Sequence, residues 1–305
     1  MPELPDITLY VRALTDRIQG HALSTYRLRS PFVLRTVEPA VEDFIGRTVT
    51  GVERLGKKIV LAFDSDTLFF VFHLMIAGRF QWRDAGYKAG SRIDLAAFEF
   101  SDSGGMLVLT EAGTKKRAAL YCVSGRDALL STHSPGGVEP LECELSEFAE
   151  ALRLKNQTLK RALTSPRCIS GVGNSYSDEI LHAARLSPFK RTGQLSDAEI
   201  ETLYRAMREI LGSWTQRLLN EYEEAGRRFP GPGSVTAFRK EFAAHGRYGQ
   251  PCPVCGSPVQ HVVYAEKNEM NYCATCQTGG KVLADRSLSR LLKDEWPRTI
   301  EEWEG

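Results

Sequence analysis

The 305-residue sequence contains no apolar run near the roughly 20 residues that a membrane-spanning helix requires. It has no internal repeat or low-complexity segment, and it holds only seven cysteines. The opening segment Met1–Asp6 does not resemble a secretory signal, so we expect a cytoplasmic protein with reduced thiols. With 42% hydrophobic and 25% charged residues, the composition excludes collagen-like and disordered classes and predicts a globular chain with two cores.

The sequence also lacks a marked excess of either charge, with 39 basic residues, 38 acidic residues and a formal net charge of +1. If the charged residues were evenly spread along the chain, this balance would argue against a nucleic-acid partner. The charges are instead clustered, because residues 152–192 hold eight bases and two acids, and residues 226–247 hold five bases and one acid. Residues 195–225, between them, hold seven acids and three bases. The basic segments favour a focused phosphate-binding face, with ordinary solvated helix faces as the alternative.

The spacing of apolar residues changes along the chain and predicts an α+β multidomain protein. Apolar residues recur every three or four positions from Leu4 to Ile18, which predicts an amphipathic helix. Residues 22–123 carry short β-branched and aromatic runs, which predict an antiparallel β-sandwich or barrel. Further helices are predicted near residues 145–154, 157–164, 174–185 and 196–223. The expected domains are an N-terminal helix with the sandwich, a helical domain, a cysteine module and a C-terminal extension, at residues 1–130, 140–245, 246–277 and 278–305.

Four cysteines have the spacing of a metal site. Cys252 and Cys255 are separated from Cys273 and Cys276 by 17 residues, so two tight turns each present two thiolates. Four thiolates leave no coordination position for a catalytic water, which predicts one structural Zn²⁺ ion in a β-hairpin finger. An iron–sulfur cluster or a pair of disulfides are the alternatives. The other three cysteines lack ligand spacing and are expected to be buried; they are Cys122, Cys143 and Cys168.

The chain opens on Pro2-Glu3, a pair that suits amine chemistry. Removal of the initiator Met leaves a secondary amine whose pKa of about 7.7–8.0 keeps a useful fraction uncharged. Such an amine can form a Schiff base with an aldehyde-like carbon, and the neighbouring carboxylate can transfer protons. The alternative is a proline that simply constrains the first turn of a helix.

A glycine turn lies between two predicted helices, at Gly171-Val172-Gly173-Asn174. Glycines allow close approach of a polyanion, and the N-terminus of the next helix offers free N–H groups to a phosphate. Lys160 stands on the preceding helix. A tight helix–helix corner is the alternative interpretation.

Together these motifs resemble the formamidopyrimidine-DNA glycosylase/endonuclease VIII family over residues 2 to about 277. The matching segments, in chain order, are Met1–Asp6, Gly56-Lys57, His73–Gly78, Leu159–Glu179 and Gly246–Gln277. The resemblance implies a monomeric base-excision repair enzyme, cytoplasmic and nucleoid-associated if bacterial, that acts on damaged DNA. It also implies a helix–two-turn–helix in the helical domain and a zinc finger after it.

The same resemblance assigns roles to single residues. The Pro2 amine attacks sugar C1′, Glu3 is the acid/base, and Lys57 binds phosphate beside the lesion. These three residues form the predicted catalytic group. The loop at residues 227–238 closes over the extruded base. Further DNA contacts implied in this way are Lys160, Asn174 and Arg247.

The sequence departs from the family's pattern at the residues that recognise lesions. Asp6 stands where the family usually has Glu. The expected wedge into the DNA stack is Ile76, with Met75 less favoured, and Lys116 and Arg117 replace an Arg/Phe pair.

The finger and the C-terminus also depart from that pattern. Lys267 is the only base between Cys255 and Cys273, and we expect it to contact phosphate. A tail of 28 residues follows Gln277. Its leucines predict a helix that packs on the protein, with partner binding as the alternative; they are Leu283, Leu288, Leu291 and Leu292.

Because the departures leave Pro2 and Glu3 intact, we expect a DNA glycosylase with abasic-site lyase activity through β- and δ-elimination. Activity on oxidised purines is expected to be weak or redirected, and unstacked or single-stranded DNA is a suitable substrate. The alternatives are a lyase with narrow or unusual lesion specificity and a non-catalytic protein that binds DNA damage.

Overall fold

The computed structural model describes residues 1–263, 269–284, 298–300 and 302. The chain divides into two compact units. The first comprises Met1–Pro135 and Ser213–Ala237, and the second comprises Gly136–Gly212 and the described residues from Phe238 onward.

The first unit consists of helix α1 (Leu4–Ile18), two antiparallel sheets and helix α2 (Arg126–His133). Helix α1 begins with Glu3 as its N-cap and has Pro5 in its first turn, where a missing N–H costs nothing. One sheet has the order β2-β3-β4-β8 and the other the order β1-β6-β7-β5. The strands are β1 (Leu23–Leu28), β2 (Val49–Leu55), β3 (Lys58–Phe63), β4 (Leu68–His73), β5 (Gly78–Asp84), β6 (Asp94–Phe100), β7 (Gly105–Glu111) and β8 (Ala119–Ser124).

Aromatic side chains form the core between the two sheets. Phe70 on β4 lies 5.7 Å from Phe98 on β6, and Phe72 lies 5.1 Å from Phe80 on β5, measured between ring centroids. All four rings are fully buried. The predicted antiparallel sandwich is therefore confirmed, and of the two options the open sandwich is the observed one.

The second unit is helical and ends in a β-hairpin. Its helices are α3 (Leu145–Arg153), α4 (Leu159–Thr164), α5 (Asn174–Ala183) and the first part of α6 (Asp197–Glu224), where the apolar spacing predicts them. Between α4 and α5, Gly171 has φ of +77°, a conformation that favours glycine. Strands β9 (Val259–Val263) and β10 (Glu269–Cys273) pair antiparallel and lead into the short helix α7 (Ala274–Thr278).

Helix α6 is continuous, yet its residues from Ser213 onward group with the first unit. Of the tail leucines, Leu283 is buried against Tyr272 and Met270, whereas Leu288, Leu291 and Leu292 lie outside the described residues. Within the described ranges, no helix combines the length and apolarity that crossing a membrane demands.

Candidate active site

The N-terminal residues lie in a buried, charged environment in the first unit. Glu3 is 3% exposed and Asp6 is 1% exposed, although both carry carboxylates. Burial lowers the pKa of the Met1 amino group below its usual value of 8.0. The positive charges of Arg79 and Lys57 lower that pKa further, whereas the negative charges of Glu3 and Asp6 oppose the shift. An amine at this place is therefore more often uncharged near neutral pH than a solvated one.

Asp6 fixes the start of the first helix. The backbone N–H of Glu3 donates a hydrogen bond to Oδ2 of Asp6, with an N–O distance of 3.0 Å. This bond holds the peptide that joins Pro2 to Glu3, because its nitrogen is the donor. Asp6 thus affects the candidate nucleophile Pro2 and the acid/base Glu3 through the backbone. The short side chain of Asp6 is long enough for this hydrogen bond.

Lys57 lies in the two-residue turn between β2 and β3, after Gly56 with φ of +63°. Burial, with the charges of Lys58 and Lys57, lowers the pKa of His73 to about 4. The neighbouring Lys58 donates from Nζ to the carbonyl of His133 at 2.9 Å. Lys57 therefore influences both the amino terminus and the strand end at His73, and His73 is neutral at physiological pH.

The candidate wedge residue protrudes from the loop between β4 and β5. Ile76 is 62% exposed, whereas Met75 is half-buried with φ of +53°. The loop is fixed at its base, because a Cβ on Gly78 would meet the carbonyl oxygen of Leu74 at 2.3 Å. Arg79 also donates to the carbonyl of Ile76 at 3.1 Å. A fixed loop with an exposed apolar tip suits insertion into a base stack.

The loop after β7 is organised around Glu111, which is 2% exposed. Its carboxylate accepts from the backbone N–H groups of Arg117 at 2.7 Å and Ala118 at 3.0 Å. Lys116 is half-buried and donates to the Glu111 carbonyl, while the Arg117 residue is exposed. The backbone of this loop is thus held by a buried carboxylate that the sequence patterns did not single out.

Arg79 is a further site residue without a sequence signal. Its Nε donates to the carbonyl of Val235 at 2.8 Å, and Val235 is fully buried. Arg79 therefore joins the β5 strand to the segment 227–238 and also affects the amino terminus. No motif marks it, because its role depends on which loop returns to β5.

In the second unit, the Lys160 ammonium is surrounded by internal acceptors. The residue is 7% exposed, and Nζ donates to the Asn174 carbonyl at 2.7 Å, to Ser177 Oγ at 2.9 Å and to Asp178 Oδ1 at 2.5 Å. Three donors with three acceptors fill the capacity of an ammonium group. The structure thus gives Lys160 a role in joining α4 to the N-terminus of α5.

Asp178 and Glu179 extend this buried network to the segment before the finger. Asp178 Oδ2 lies 2.7 Å from His245 Nδ1 and accepts from the Asn271 N–H at 3.1 Å. Glu179 accepts three backbone N–H groups, from residues 243, 244 and 245, at 2.7–2.9 Å. Burial raises the pKa of Glu179, an effect that these three hydrogen bonds oppose. The family's sequence pattern includes Glu179, but it does not reveal that the carboxylate accepts hydrogen bonds from residues 243–245.

The remaining predicted DNA contacts in this unit also have protein partners. Asn174 donates from Nδ2 to the Glu269 carbonyl at 2.6 Å, which connects the glycine turn to β10. Arg247 donates to the carbonyls of Phe242 at 3.3 Å and Pro251 at 3.1 Å. Lys267 lies outside the described residues.

The four cysteines of the predicted finger come together as one cluster. All four sulfur atoms, from Cys252, Cys255, Cys273 and Cys276, lie within 4.8 Å of one another, so they form a site able to hold a metal ion. His182 on α5 places Nε2 3.2 Å from the Cys252 sulfur, a contact that sequence spacing did not reveal. The remaining cysteines are buried, as expected, at Cys122, Cys143 and Cys168.

Comparisons with known proteins agree with this arrangement. Residues 1–114 match the family model described as the formamidopyrimidine-DNA glycosylase N-terminal domain, and residues 137–216 match the H2TH domain of the same enzymes. A formamidopyrimidine-DNA glycosylase from Thermus thermophilus is 30% identical over 283 residues, covering 92% of this chain and all of that protein.

Two further similarities extend this result. An uncharacterized formamidopyrimidine-DNA glycosylase-like protein from Mycobacterium tuberculosis is 41% identical over 160 residues, covering 52% of this chain and 94% of that protein. The crystal structure of the Lactococcus lactis glycosylase bound to DNA with an abasic site has a TM-score of 0.76 at 23% identity. It covers 90% of this chain and 99% of that one. This structural likeness concerns the fold.

Proposed function

Because the chain belongs to the formamidopyrimidine-DNA glycosylase family, we propose that it is a base-excision repair enzyme that excises damaged bases from DNA and cleaves the resulting abasic site. The observation that carries the residue-level proposal is the buried N-terminus. Pro2 and Glu3 are buried there. Burial lowers the pKa of the Met1 amino group, on which the charges of Arg79, Asp6 and Lys57 also act.

In the first step, the secondary amine of Pro2, exposed by removal of Met1, attacks C1′ of the damaged nucleotide. The new N–C1′ bond replaces the glycosidic bond, and the base leaves with that bond's electron pair and a proton. Glu3 supplies a proton for sugar-ring opening, which yields an iminium ion. The burial that lowers the pKa of the Met1 amino group would favour the uncharged form of an amine at this place, which the attack requires.

In the second step, the iminium ion acts as an electron sink. Removal of the C2′ proton lets the C3′–O bond break, and the 3′-phosphate departs; a second elimination can expel the 5′-phosphate. Hydrolysis of the remaining iminium returns the Pro2 amine. Lys57 would stabilise phosphate charge beside the sugar, consistent with its electrostatic effect on the amino terminus.

We propose zinc as the ion for the cysteine cluster, held by Cys252, Cys255, Cys273 and Cys276 in the second unit. Four thiolates suit tetrahedral Zn²⁺ and fill its coordination, so the ion would stabilise the hairpin. The chemistry of strand cleavage then rests on the first unit. We also propose a cytoplasmic location and a monomeric enzyme.

The departures at the wedge positions favour a narrower lesion range. Ile76 is exposed on its loop and is the apolar residue that we assign to insertion, but Lys116 and Arg117 belong to a loop that offers no aromatic ring. Substrates that are already unstacked need less distortion and are therefore favoured. This narrower range agrees with the weak or redirected activity on oxidised purines that the sequence predicts for the glycosylase.

One panel of oligonucleotides tests both levels of the proposal. Each contains an abasic site or a single oxidised base, in duplex and in single-stranded form. We expect abasic-site cleavage by the natural chain, and a loss of at least about 100-fold in Glu3→Gln, because proton transfer contributes that much. Excision of duplex 8-oxoguanine as fast as abasic-site cleavage would contradict the narrower lesion range, and no cleavage of any substrate would contradict the enzyme.

A further inference from the structure

A pocket of about 600 Å³ opens on the first unit, and part of its lining belongs to the loop at residues 227–238 that the family resemblance places over the extruded base. Its walls come from the later part of α1, the middle of β5, the end of α6 and the loop that follows it. Pro2, Glu3 and Lys57 are not among the described residues that line the pocket. The lining residues on α1 are Leu9 and Arg17, which lie six and 14 residues beyond Glu3, or about 9 and 21 Å along the helix axis.

One wall of the pocket is aromatic. The rings of Trp82 and Phe229 lie 5.9 Å apart between centroids, with 34° between their planes, and both residues are half-buried. The Arg17 guanidinium lies 5.6 Å from the Trp82 ring and 5.3 Å from the Phe229 ring. It is held by hydrogen bonds to the Tyr222 hydroxyl at 3.2 Å and the Arg227 carbonyl at 2.9 Å.

The charges around the pocket are mostly positive. Three arginines line it, at positions 17, 83 and 228, together with one carboxylate, Glu221. Glu221 accepts a hydrogen bond from Arg217 at 2.9 Å, which offsets its charge. Arg83 and Arg228 are exposed and line the pocket. Arg83 donates to Oε1 of Gln81, another lining residue, and its guanidinium lies 5.5 Å from the Tyr87 ring, which holds it beside the pocket.

The loop that closes the pocket has restricted conformations. Pro230 and Pro232 flank Gly231, and proline fixes its own φ angle. The Ser234 N–H donates to the Gly231 carbonyl at 3.0 Å, which closes a turn. The pocket is therefore preformed, and its volume falls within the range of about 300–1,000 Å³ that small-molecule sites occupy.

We propose that this pocket binds a nucleotide, with the base against Trp82 and Phe229 and the phosphate held by Arg83 and Arg228. Bases stack on aromatic side chains without regard to sequence, and guanidinium groups bind phosphate through paired hydrogen bonds. The same chemistry fits a free mononucleotide or an unpaired nucleotide within a single DNA strand. The proposal goes beyond the catalytic assignment, since Trp82 and Arg83 belong neither to the residues proposed for strand cleavage nor to the loop at residues 227–238.

Isothermal titration calorimetry tests the pocket with the full chain carrying Pro2→Gly, which replaces the proposed secondary amine with a primary amine. The probes are deoxyadenosine monophosphate, deoxyadenosine and a short single-stranded oligonucleotide. We expect the monophosphate to bind at least about tenfold more tightly than the nucleoside, because only the former can use the arginines. Binding by the monophosphate alone identifies a free nucleotide as the ligand, and arginine-dependent binding by the oligonucleotide identifies an unpaired strand.

Three variants separate the contributions. Arg83→Gln with Arg228→Gln should weaken the monophosphate about tenfold or more and leave the nucleoside unchanged. Trp82→Leu should weaken both ligands roughly 5- to 100-fold, as loss of stacking does. Arg92→Gln, on the exposed turn before β6, is the matched control and should change neither.

Because Arg83 and Arg228 are exposed, we expect the arginine double variant to fold. It therefore still tests the proposal if Trp82→Leu does not fold. The proposal is overturned if the monophosphate and the oligonucleotide both fail to bind at millimolar concentration. It is also overturned if both bind the arginine double variant as tightly as the chain with Arg83 and Arg228. This outcome would leave the catalytic proposal untouched, since cleavage is measured separately in the chain with Pro2.

Discussion

At the scale of single residues, Asp6 links the start of helix α1 to the proposed chemistry. Its carboxylate accepts from the Glu3 backbone N–H and contributes negative charge beside the terminal amine. The sequence identified the position as a departure from the family's Glu. It could not identify the acceptor role, which depends on the conformation of Glu3 before the helix.

Substitution of Asp6 separates these two effects. Asp6→Asn keeps an oxygen acceptor but removes the charge that raises the amine pKa, so that pKa should fall further. The rising limb of abasic-site cleavage against pH should therefore move to lower pH by up to about one unit. Asp6→Ala removes the acceptor as well, and we expect a loss of about 100-fold from misplacement of Pro2 and Glu3. Single-turnover rates between pH 5.5 and 9 measure both; a shift of the Asp6→Asn limb to higher pH would contradict the assignment.

Lys160 shows why a motif residue can have a different role from the one its charge suggests. Its position in the motif was recognisable, but the carboxylate of Asp178 at 2.5 Å was not, because the contact depends on how α4 meets α5. A buried cation paired with a buried carboxylate is costly to break from one side.

We therefore predict that Lys160→Met acts mainly on stability. Its free energy of unfolding in urea should fall by about 3–5 kcal/mol, because the Asp178 charge loses its partner. Arg161→Gln, the exposed neighbour on the same helix, is the control and should change it by less than about 0.5 kcal/mol. Unchanged stability together with weaker DNA binding in Lys160→Met would favour the phosphate-ligand role instead.

At the scale of elements, periodicity was the most informative signal. Helices α3–α6 lie where apolar spacing predicts them, and the short β-branched runs form the two sheets. The sequence spacing of the four cysteines also predicted that they form one cluster. It could not show that His182 reaches Cys252 from another element, because the hairpin and α5 are distant in sequence.

The cysteine hairpin leads to a prediction about metal content. Purified protein should contain one zinc per chain by elemental analysis, and a chelator should make four thiols reactive towards a disulfide reagent. Cys255→Ala should lose the metal, whereas Cys168→Ala, which alters a buried cysteine without ligand spacing, should retain it. Iron absorption, or four unreactive cysteines that need a reductant, would contradict a zinc site.

At the scale of the whole molecule, the near-neutral charge proved compatible with a DNA repair enzyme. Charge clustering along the chain indicated phosphate binding despite a net charge of +1. Sequence could not say how many of those bases are engaged internally, as Lys160 and Arg247 are. The grouping of residues 213–237 with the first unit was equally hidden, because helix α6 has one continuous periodicity.

We expect the affinity for abasic-site DNA to depend only moderately on salt. If about three to four phosphates are neutralised, a plot of log affinity against log salt has a slope of about −3 to −4. Fluorescence anisotropy between 50 and 200 mM salt measures it. A slope near −8 would mean that many more side chains contact phosphate than this charge distribution suggests.

Borohydride trapping on abasic-site DNA is the most direct test of the Pro2 mechanism. The reductant converts the iminium ion into a stable covalent adduct, and mass spectrometry of the digested protein locates the DNA. The mechanism predicts an adduct on the Pro2 nitrogen that is lost when the initiator Met is retained. Absence of an adduct, or an adduct on a lysine such as Lys57 or Lys58, would contradict it.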